Sequence, residues 1–236
     1  MRRLLALLAA LLPASVAAPA AAEVIPVDLE LVLAVDASGS VDRAEGELQL
    51  AGIAAGFRDP TVQAAIGRQP LGRIAVALAV WSEGNKPKDL SPWFLVSDAA
   101  SAEVFAAAIE RFPRMIANGG TGIGKAIQFG VRAIETNGYA GGRLVVDLSG
   151  DGRETPPADW SLSAAQGRAY ADARGVVVNG LAILSDDAGL ADYFRAEVIV
   201  GPDSFVIAAD DYEGFAEAMR RKLLREIETE PNVSLR

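Results

Sequence analysis

The sequence predicts an α/β fold, a Rossmann-like three-layer sandwich with a mostly parallel six-stranded sheet and helices on both faces. Three observations predict it. Short β-rich apolar runs alternate with helix-spaced segments along most of the chain. The strongest runs are continuously apolar, as in parallel strands covered on both faces. Hydrophobic residues make up 51% of the 236 residues, with no repeat or linker to divide them, so one large domain is expected.

The elements follow in order. Arg2 and Arg3 precede the apolar stretch Leu4 to Leu12, and Ala20-Ala21-Ala22 offers a small-residue cleavage site before Glu23. Residues 1–22 thus read as a signal peptide, too short to span a bilayer, and the protein as exported to the periplasm or secreted. Leu29 to Val35 is the first strand, stopped at Asp36. Asp42 to Phe57 has helical spacing, and Asp59-Pro60 ends it. Ile74 to Trp81 is a strand, and Trp93 to Val96, entered through Pro92, suits an edge. Ser101 to Phe112 is amphipathic, with Val104, Phe105, Ala108, Ile109 and Phe112 on one side.

A glycine-rich loop, Gly119 to Gly124, then opens a helix that continues to about Glu135. Leu144 to Leu148 is a buried strand, followed by Ser149-Gly150-Asp151-Gly152. A helix over Ala158 to Ala173 leads through Gly175 into a strand from Val176 to Leu184. A short helix at Leu190 to Arg195, a weak strand at Phe205 to Ala208 and a helix from Tyr212 to Ile227 follow. The domain is expected over 23–228, with a tail at 229–236.

Composition excludes much chemistry. The chain has no cysteine, hence no disulfide, thiolate nucleophile or iron–sulfur cluster. It has no histidine, hence no Ser-His-Asp triad and no histidine-bound zinc. A metal site must use oxygen donors and favours hard cations, Mg²⁺ first, with Mn²⁺ or Ca²⁺ as alternatives. The net charge of −9 offers no basic face for nucleic acid. Cleavage after residue 22 removes two arginines and no acid, taking the charge to −11.

Three segments carry the chemistry. Asp36-Ala37-Ser38-Gly39-Ser40 directly follows the first strand, Gly119-Gly120-Thr121-Gly122 opens a helix, and Gly150-Asp151-Gly152 follows a later strand. In a doubly wound sheet, loops at the carboxyl ends of strands converge where the strand order reverses. If the first and the Leu144 strands are neighbours there, two carboxylates and three hydroxyls meet, a set suited to an octahedral hard cation.

The pattern Asp36-x-Ser38-x-Ser40 with Thr121 and Asp151 resembles the metal-ion-dependent adhesion site of von Willebrand factor A domains. The likeness extends over residues 27–228, and more narrowly to a group of exported bacterial A-domain-like proteins without an assigned function. It implies that Ser38, Ser40 and Thr121 contact a divalent cation, that Asp36 and Asp151 act directly or through water, and that an acid from a protein partner completes the shell. No catalytic residues are implied. Two departures are local: Gly150 stands where the family commonly has threonine, and the Thr121 loop lacks the family's usual proline-threonine continuation.

Other readings attach to the same residues. Taken singly, Asp36 or Ser40 suits a helix cap near Asp42, Thr121 a cap in a glycine turn, and Asp151-Gly152 an ordinary turn. Gly119-x-x-x-x-Gly124-Lys125 matches most of a phosphate-binding loop, and Asp147-x-x-Gly150 resembles a nucleotide switch. This alternative makes the protein a nucleotide hydrolase; another makes it a structural domain with a vestigial metal site. Against it, Ala126 stands where the Mg²⁺-binding hydroxyl belongs, and Pro113 rather than a strong strand precedes the loop. Asp186-Asp187 and Asp210-Asp211 suit helix N-termini, and Arg220-Arg221-Lys222 a helix C-terminal half. Trp81, Trp93 and Trp160 are expected in packing.

Overall fold

The computed structural model describes residues 24–86, 88–113, 119–155 and 161–229. The expected signal peptide, Trp160, the first residues of the helix expected from Ala158, and residues 230–236 of the expected tail lie outside the described residues.

The strands are β1 (Ile25–Asp36), β2 (Ile74–Trp81), β3 (Asp89–Leu90), β4 (Phe94–Val96), β5 (Tyr139–Gly150), β6 (Val177–Ile183) and β7 (Val206–Ala209). They form one seven-stranded sheet in the order β3-β2-β1-β5-β6-β7, with β4 also paired to β2. The expected parallel α/β architecture is present, with one strand more than the six expected. The addition is the two-residue β3, whose pairing of Leu90 with Ala79 is too short to leave a period in the sequence. Both β3 and β4 run antiparallel to β2, and every other pairing is parallel. From β1 the chain moves outward to β2, then returns to build β5, β6 and β7 on the opposite side. The order therefore reverses at β1, and the carboxyl ends of β1 and β5 stand side by side.

The helices are α1 (Arg43–Arg58), α2 (Pro60–Gly67), α3 (Ala99–Glu110), α4 (Ile123–Glu135), α5 (Ala164–Asp172), α6 (Leu190–Tyr193) and α7 (Phe215–Glu228). A π-helical turn, Phe194–Val198, follows α6 directly. Side chains alternate along β1, so Leu29, Leu31, Leu33 and Val35 face α1, α2, α3 and α7, while Val32 and Ala34 face α4, α5 and α6. All eight residues of β2 are buried, as its unbroken apolar run required. On the first face Phe105 contacts Phe57 and Phe94 at ring-centroid distances of 4.6 and 5.3 Å. Burying each such ring contributes about 2–3 kcal/mol.

Two local signals had more than one outcome. Asp59-Pro60 ends α1 but also starts α2: the Asp59 carboxylate accepts from the N–H groups of Thr61 and Val62 at 2.7 and 3.2 Å, and Pro60 fills the first turn. Proline at that position costs no hydrogen bond, so the same dipeptide stops one helix and opens the next. β5 begins at Tyr139, before the apolar run at Leu144, because Tyr139, Ala140 and Gly141 pair with Ile25, Pro26 and Val27 of β1.

The Arg220-Arg221-Lys222 segment corrects another expectation. Lys222 is fully buried rather than complementing a helix end. Its Nζ lies 3.0 Å from Asp147 Oδ1 of β5 and 3.0 Å from Glu226 Oε1 of α7. Asn179 Nδ2 donates to both Glu226 oxygens at 2.9 and 3.0 Å, and Asn179 Oδ1 accepts from Phe205 N–H at 2.8 Å. The Arg143 guanidinium donates to the carbonyls of Glu226 and Thr229. Helix α7 is thus tied to β5 and β6 by a polar network inside an apolar layer. Burial pushes the Asp147 carboxyl up to about 7, with Glu226 adding to the rise and Lys222 opposing it.

Candidate metal centre

Asp36 is the last residue of β1, beside Trp81 at the end of β2. Its Oδ1 accepts from Ser38 N–H at 2.7 Å, closing a tight turn in which side chains 36, 38 and 40 are gathered. Ser38 Oγ and Ser40 Oγ stand 3.2 Å apart. Helix α1 begins only after this turn and has its own cap. Asp42 Oδ1 accepts from Glu45 N–H at 2.9 Å and Glu45 Oε2 from Asp42 N–H at 2.7 Å. Neither Asp36 nor Ser40 serves as that cap.

The second segment docks on the first through its backbone, with Gly39 N–H donating to Gly119 O at 2.8 Å. Thr121 is fixed by Thr155, whose Oγ1 accepts from Thr121 N–H and whose N–H donates to Thr121 O, both at 2.9 Å. Gly122, not Thr121, stands at the N-cap of α4, and no side chain caps from that position. The Thr121 hydroxyl is directed at the third segment, since a Cβ on Gly152 would lie 3.2 Å from Thr121 Oγ1.

Asp151 completes the convergence. Ser40 Oγ donates to its Oδ1 at 2.9 Å across 111 residues of sequence. Asp36, Ser38, Thr121 and Asp151 are buried, and Ser40 is exposed. All five residues singled out in the sequence therefore meet at one end of the sheet. The glycine at 150 has a local explanation: a Cβ there would meet Asp36 Oδ2 at 3.0 Å, so a side chain would displace that carboxylate.

The sequence did not reveal Tyr212. Its hydroxyl donates to Asp151 Oδ2 at 3.0 Å, so both oxygens of this acid accept from neutral hydroxyls. Burial and then the negative charges of Asp151, Glu45 and Asp36 push the Tyr212 phenol well above its usual range, keeping it a donor. A tyrosine before a helix carries no local sign of a partner 61 residues away.

The donors fit a hard divalent cation. Asp151 is buried, and among the described residues no lysine or arginine lies within ion-pair distance of it. Burying a carboxylate without positive charge is costly, and a divalent cation offsets that cost. Among the described residues no three Asp, Glu, His or Cys side chains converge on a metal-sized space, so a cation at this point would need the hydroxyls of Ser38, Ser40 and Thr121 beside the two carboxylates. A cleft of about 640 Å³ opens beside this constellation, between the start of α1 and the end of α3, lined by Ala37, Gly39, Asp42, Arg43 and Phe112 but by none of the five converging residues.

The Gly119–Lys125 loop is not shaped for phosphate. Glu154 Oε2 accepts from Gly124 N–H at 3.0 Å and the carboxylate also bonds the Ile123 N–H, so an internal acid fills the α4 N-terminus. Burial pushes Glu154 up to about 7, against the lowering by these two bonds. Lys125 Nζ donates to Gln128 Oε1 at 3.1 Å. Asp147 lies in the buried network with Lys222 and takes no part at this end of the sheet.

The fold recurs in solved structures. The pilus adhesin SpaC of Lactobacillus rhamnosus GG superimposes with a TM-score of 0.59 at 17% identity, covering 85% of this chain and 31% of its own. The chain thus spans about a third of that adhesin's length. The von Willebrand factor domain of Mfa5, a type V pilus tip protein of Porphyromonas gingivalis, gives 0.53 at 12% identity, covering 84% and 94% of the two chains. The mussel proximal thread matrix protein 1, solved with zinc in its MIDAS motif, gives 0.54 at 17% identity, covering 87% and 49%. The fold is that of a von Willebrand factor A-like domain. No curated protein matches the chain. A family model described as "Protein of unknown function (DUF1194)" matches residues 26–231.

Proposed function

The chain belongs to the DUF1194 family, and we propose that it is an exported, non-enzymatic protein-binding domain of the adhesion or scaffold type. It holds a divalent cation, Mg²⁺ first, with Asp36, Ser38, Ser40, Thr121 and Asp151. An acidic residue of a protein partner completes the shell. The domain spans 23–228, after a signal peptide at 1–22.

The observation that carries this reading is the convergence of three distant segments, through Ser40 Oγ on Asp151 Oδ1 at 2.9 Å and Gly39 N–H on Gly119 O at 2.8 Å. It brings two carboxylates and three hydroxyls together at one end of the sheet. The relatives add support of a general kind: two are pilus proteins, and a third is described with a zinc-occupied motif of this type. When bound, the cation supplies a Lewis-acidic centre for a carboxylate. The protein's own residues set the rest: Ser40 and Tyr212 orient Asp151, and Gly150 leaves room for Asp36. Export is read from Arg2, Arg3 and the apolar stretch after them, and among the described residues no helix is long and apolar enough to cross a membrane.

Calorimetric titration of metal-stripped protein with Mg²⁺, Mn²⁺ and Ca²⁺, beside Asp36→Ala, tests the reading. Saturable binding in the native chain and none in the variant is expected. Partner capture that survives both chelation and Asp36→Ala would overturn it. The nucleotide-hydrolase alternative gains no support, because Glu154 already occupies the α4 N-terminus.

A further inference from the structure

Lysine is used sparingly and in two places only. The chain contains four lysines, Lys86, Lys88, Lys125 and Lys222, against eighteen arginines. Lys222 is the buried counter-ion of Asp147 and Glu226. The other three gather at one corner. Among the described residues every ion pair with an exposed or half-exposed acid is made by an arginine. None involves Lys86, Lys88 or Lys125.

That corner borders the candidate metal centre. The loop after β2 leans on the Gly119–Gly122 segment: Gly122 N–H donates to Ser82 O at 3.2 Å, and a Cβ on Gly122 would meet Gly84 N at 2.6 Å. Lys125 Cγ comes within 3.2 Å of where a Cβ on Gly84 would stand, and Lys86 Cγ within 3.5 Å of the equivalent point on Gly119. Gly119 in turn accepts from Gly39, in the middle of the Asp36–Ser40 turn. Lys88 is half-buried, and its Nζ reaches only the carbonyls of Gly84 at 3.5 Å and Lys86 at 3.4 Å. Burial, and then the like charge of Lys125, hold Lys88 below its usual range. Glu83, the acid of this loop, has its Oε2 3.2 Å from the point on Gly119 that Lys86 Cγ approaches, but it makes no ion pair with any of the three lysines among the described residues. Lys88 and Lys125 thus repel one another with no ion pair to either among the described residues, and an anion placed between them relieves the repulsion.

We propose that Lys86, Lys88 and Lys125 form an anion subsite on the rim of the candidate metal centre, so that the partner is an acidic segment presenting at least two carboxylates. One carboxylate completes the cation's shell and a neighbouring one is received by the lysines. The proposal rests on the cation reading above for the first acid only. In a chain of net charge −9, this positive corner is also what lets an acidic partner approach.

The probes are fluorescein-labelled hexa-aspartate and a Gly-Ser peptide carrying a single aspartate. Fluorescence anisotropy follows their binding to the full chain in Mg²⁺ and in EDTA. The variant Lys86→Gln/Lys88→Gln/Lys125→Gln is expected to bind hexa-aspartate about tenfold more weakly and with a shallower salt dependence. Its circular dichroism and Mg²⁺ affinity are expected to stay native, and its affinity for the single-aspartate peptide unchanged. Hexa-aspartate affinity within about twofold of native in the triple variant overturns the subsite, as does no binding of hexa-aspartate by the native chain. If binding is indifferent to EDTA and to Asp36→Ala yet lost in the triple variant, the subsite stands and the cation reading falls.

Discussion

Replacing Lys222 with methionine removes the positive charge from a buried cluster while keeping an unbranched side chain one heavy atom shorter. Asp147 and Glu226 are each 1% exposed at their side chains, and each has an oxygen 3.0 Å from Lys222 Nζ. The substitution leaves two carboxylates facing each other in an apolar layer. Removing one partner of such a group costs about 3–5 kcal/mol, against the roughly 5–15 kcal/mol that holds a domain of ordinary stability. With a urea slope of about 2 kcal/mol per molar, the unfolding midpoint should fall by roughly 1.5–2.5 M. The sign with pH follows from Asp147. Its folded value of about 7 lies above its ordinary 3.8, so the folded state binds more protons across that window and loses stability as pH rises through it. Lys222 is the group that holds this value down, so its removal extends the loss above pH 7. Urea unfolding followed by circular dichroism at pH 5 and pH 8 is the assay. The cost of Lys222→Met should be larger at pH 8. The triple change that adds Asp147→Asn and Glu226→Gln should recover most of it. A loss below about 1 kcal/mol at pH 8, or an equal loss at both values, would refute the claim that this ion cluster seats α7.

Two further outcomes are expected. Tyr212→Phe leaves Asp151 Oδ2 without its hydroxyl donor at 3.0 Å. Cation affinity should fall about tenfold by calorimetry while the fold is kept, and native affinity in this variant would show that Tyr212 does not position the acid. Glu154 is raised to about 7 from an ordinary 4.5, so its burial destabilises the fold progressively as pH rises between those values. Thermal unfolding of Glu154→Gln from pH 5 to pH 8 should therefore decline less steeply than that of the native chain; parallel curves would count against the assignment.

Legible in the sequence alone were the repeating strand–helix order, a helix start near Asp42, the arrest of β1 at Asp36 and the five oxygen-bearing side chains that meet beyond it. Each is written locally: an apolar period, a turn residue, a glycine, or a spacing such as Asp36-x-Ser38-x-Ser40 acts over a few residues. The sequence pointed to Asp36 or Ser40 as the helix cap, whereas the cap is Asp42 itself. The features that depended on packing act across the chain. Asp59-Pro60 became a start as well as a stop because the following helix found the first-face core through Val62 and Ile66. Lys222 looked like one of three surface cations, and only the packing of α7 on β5 and β6 brought it to Asp147. Tyr212 met Asp151, and Glu154 met the open end of α4, through loops that sheet order alone brings together. A buried polar group must find a partner wherever one is in space, and its neighbours in sequence carry no trace of which one it will be.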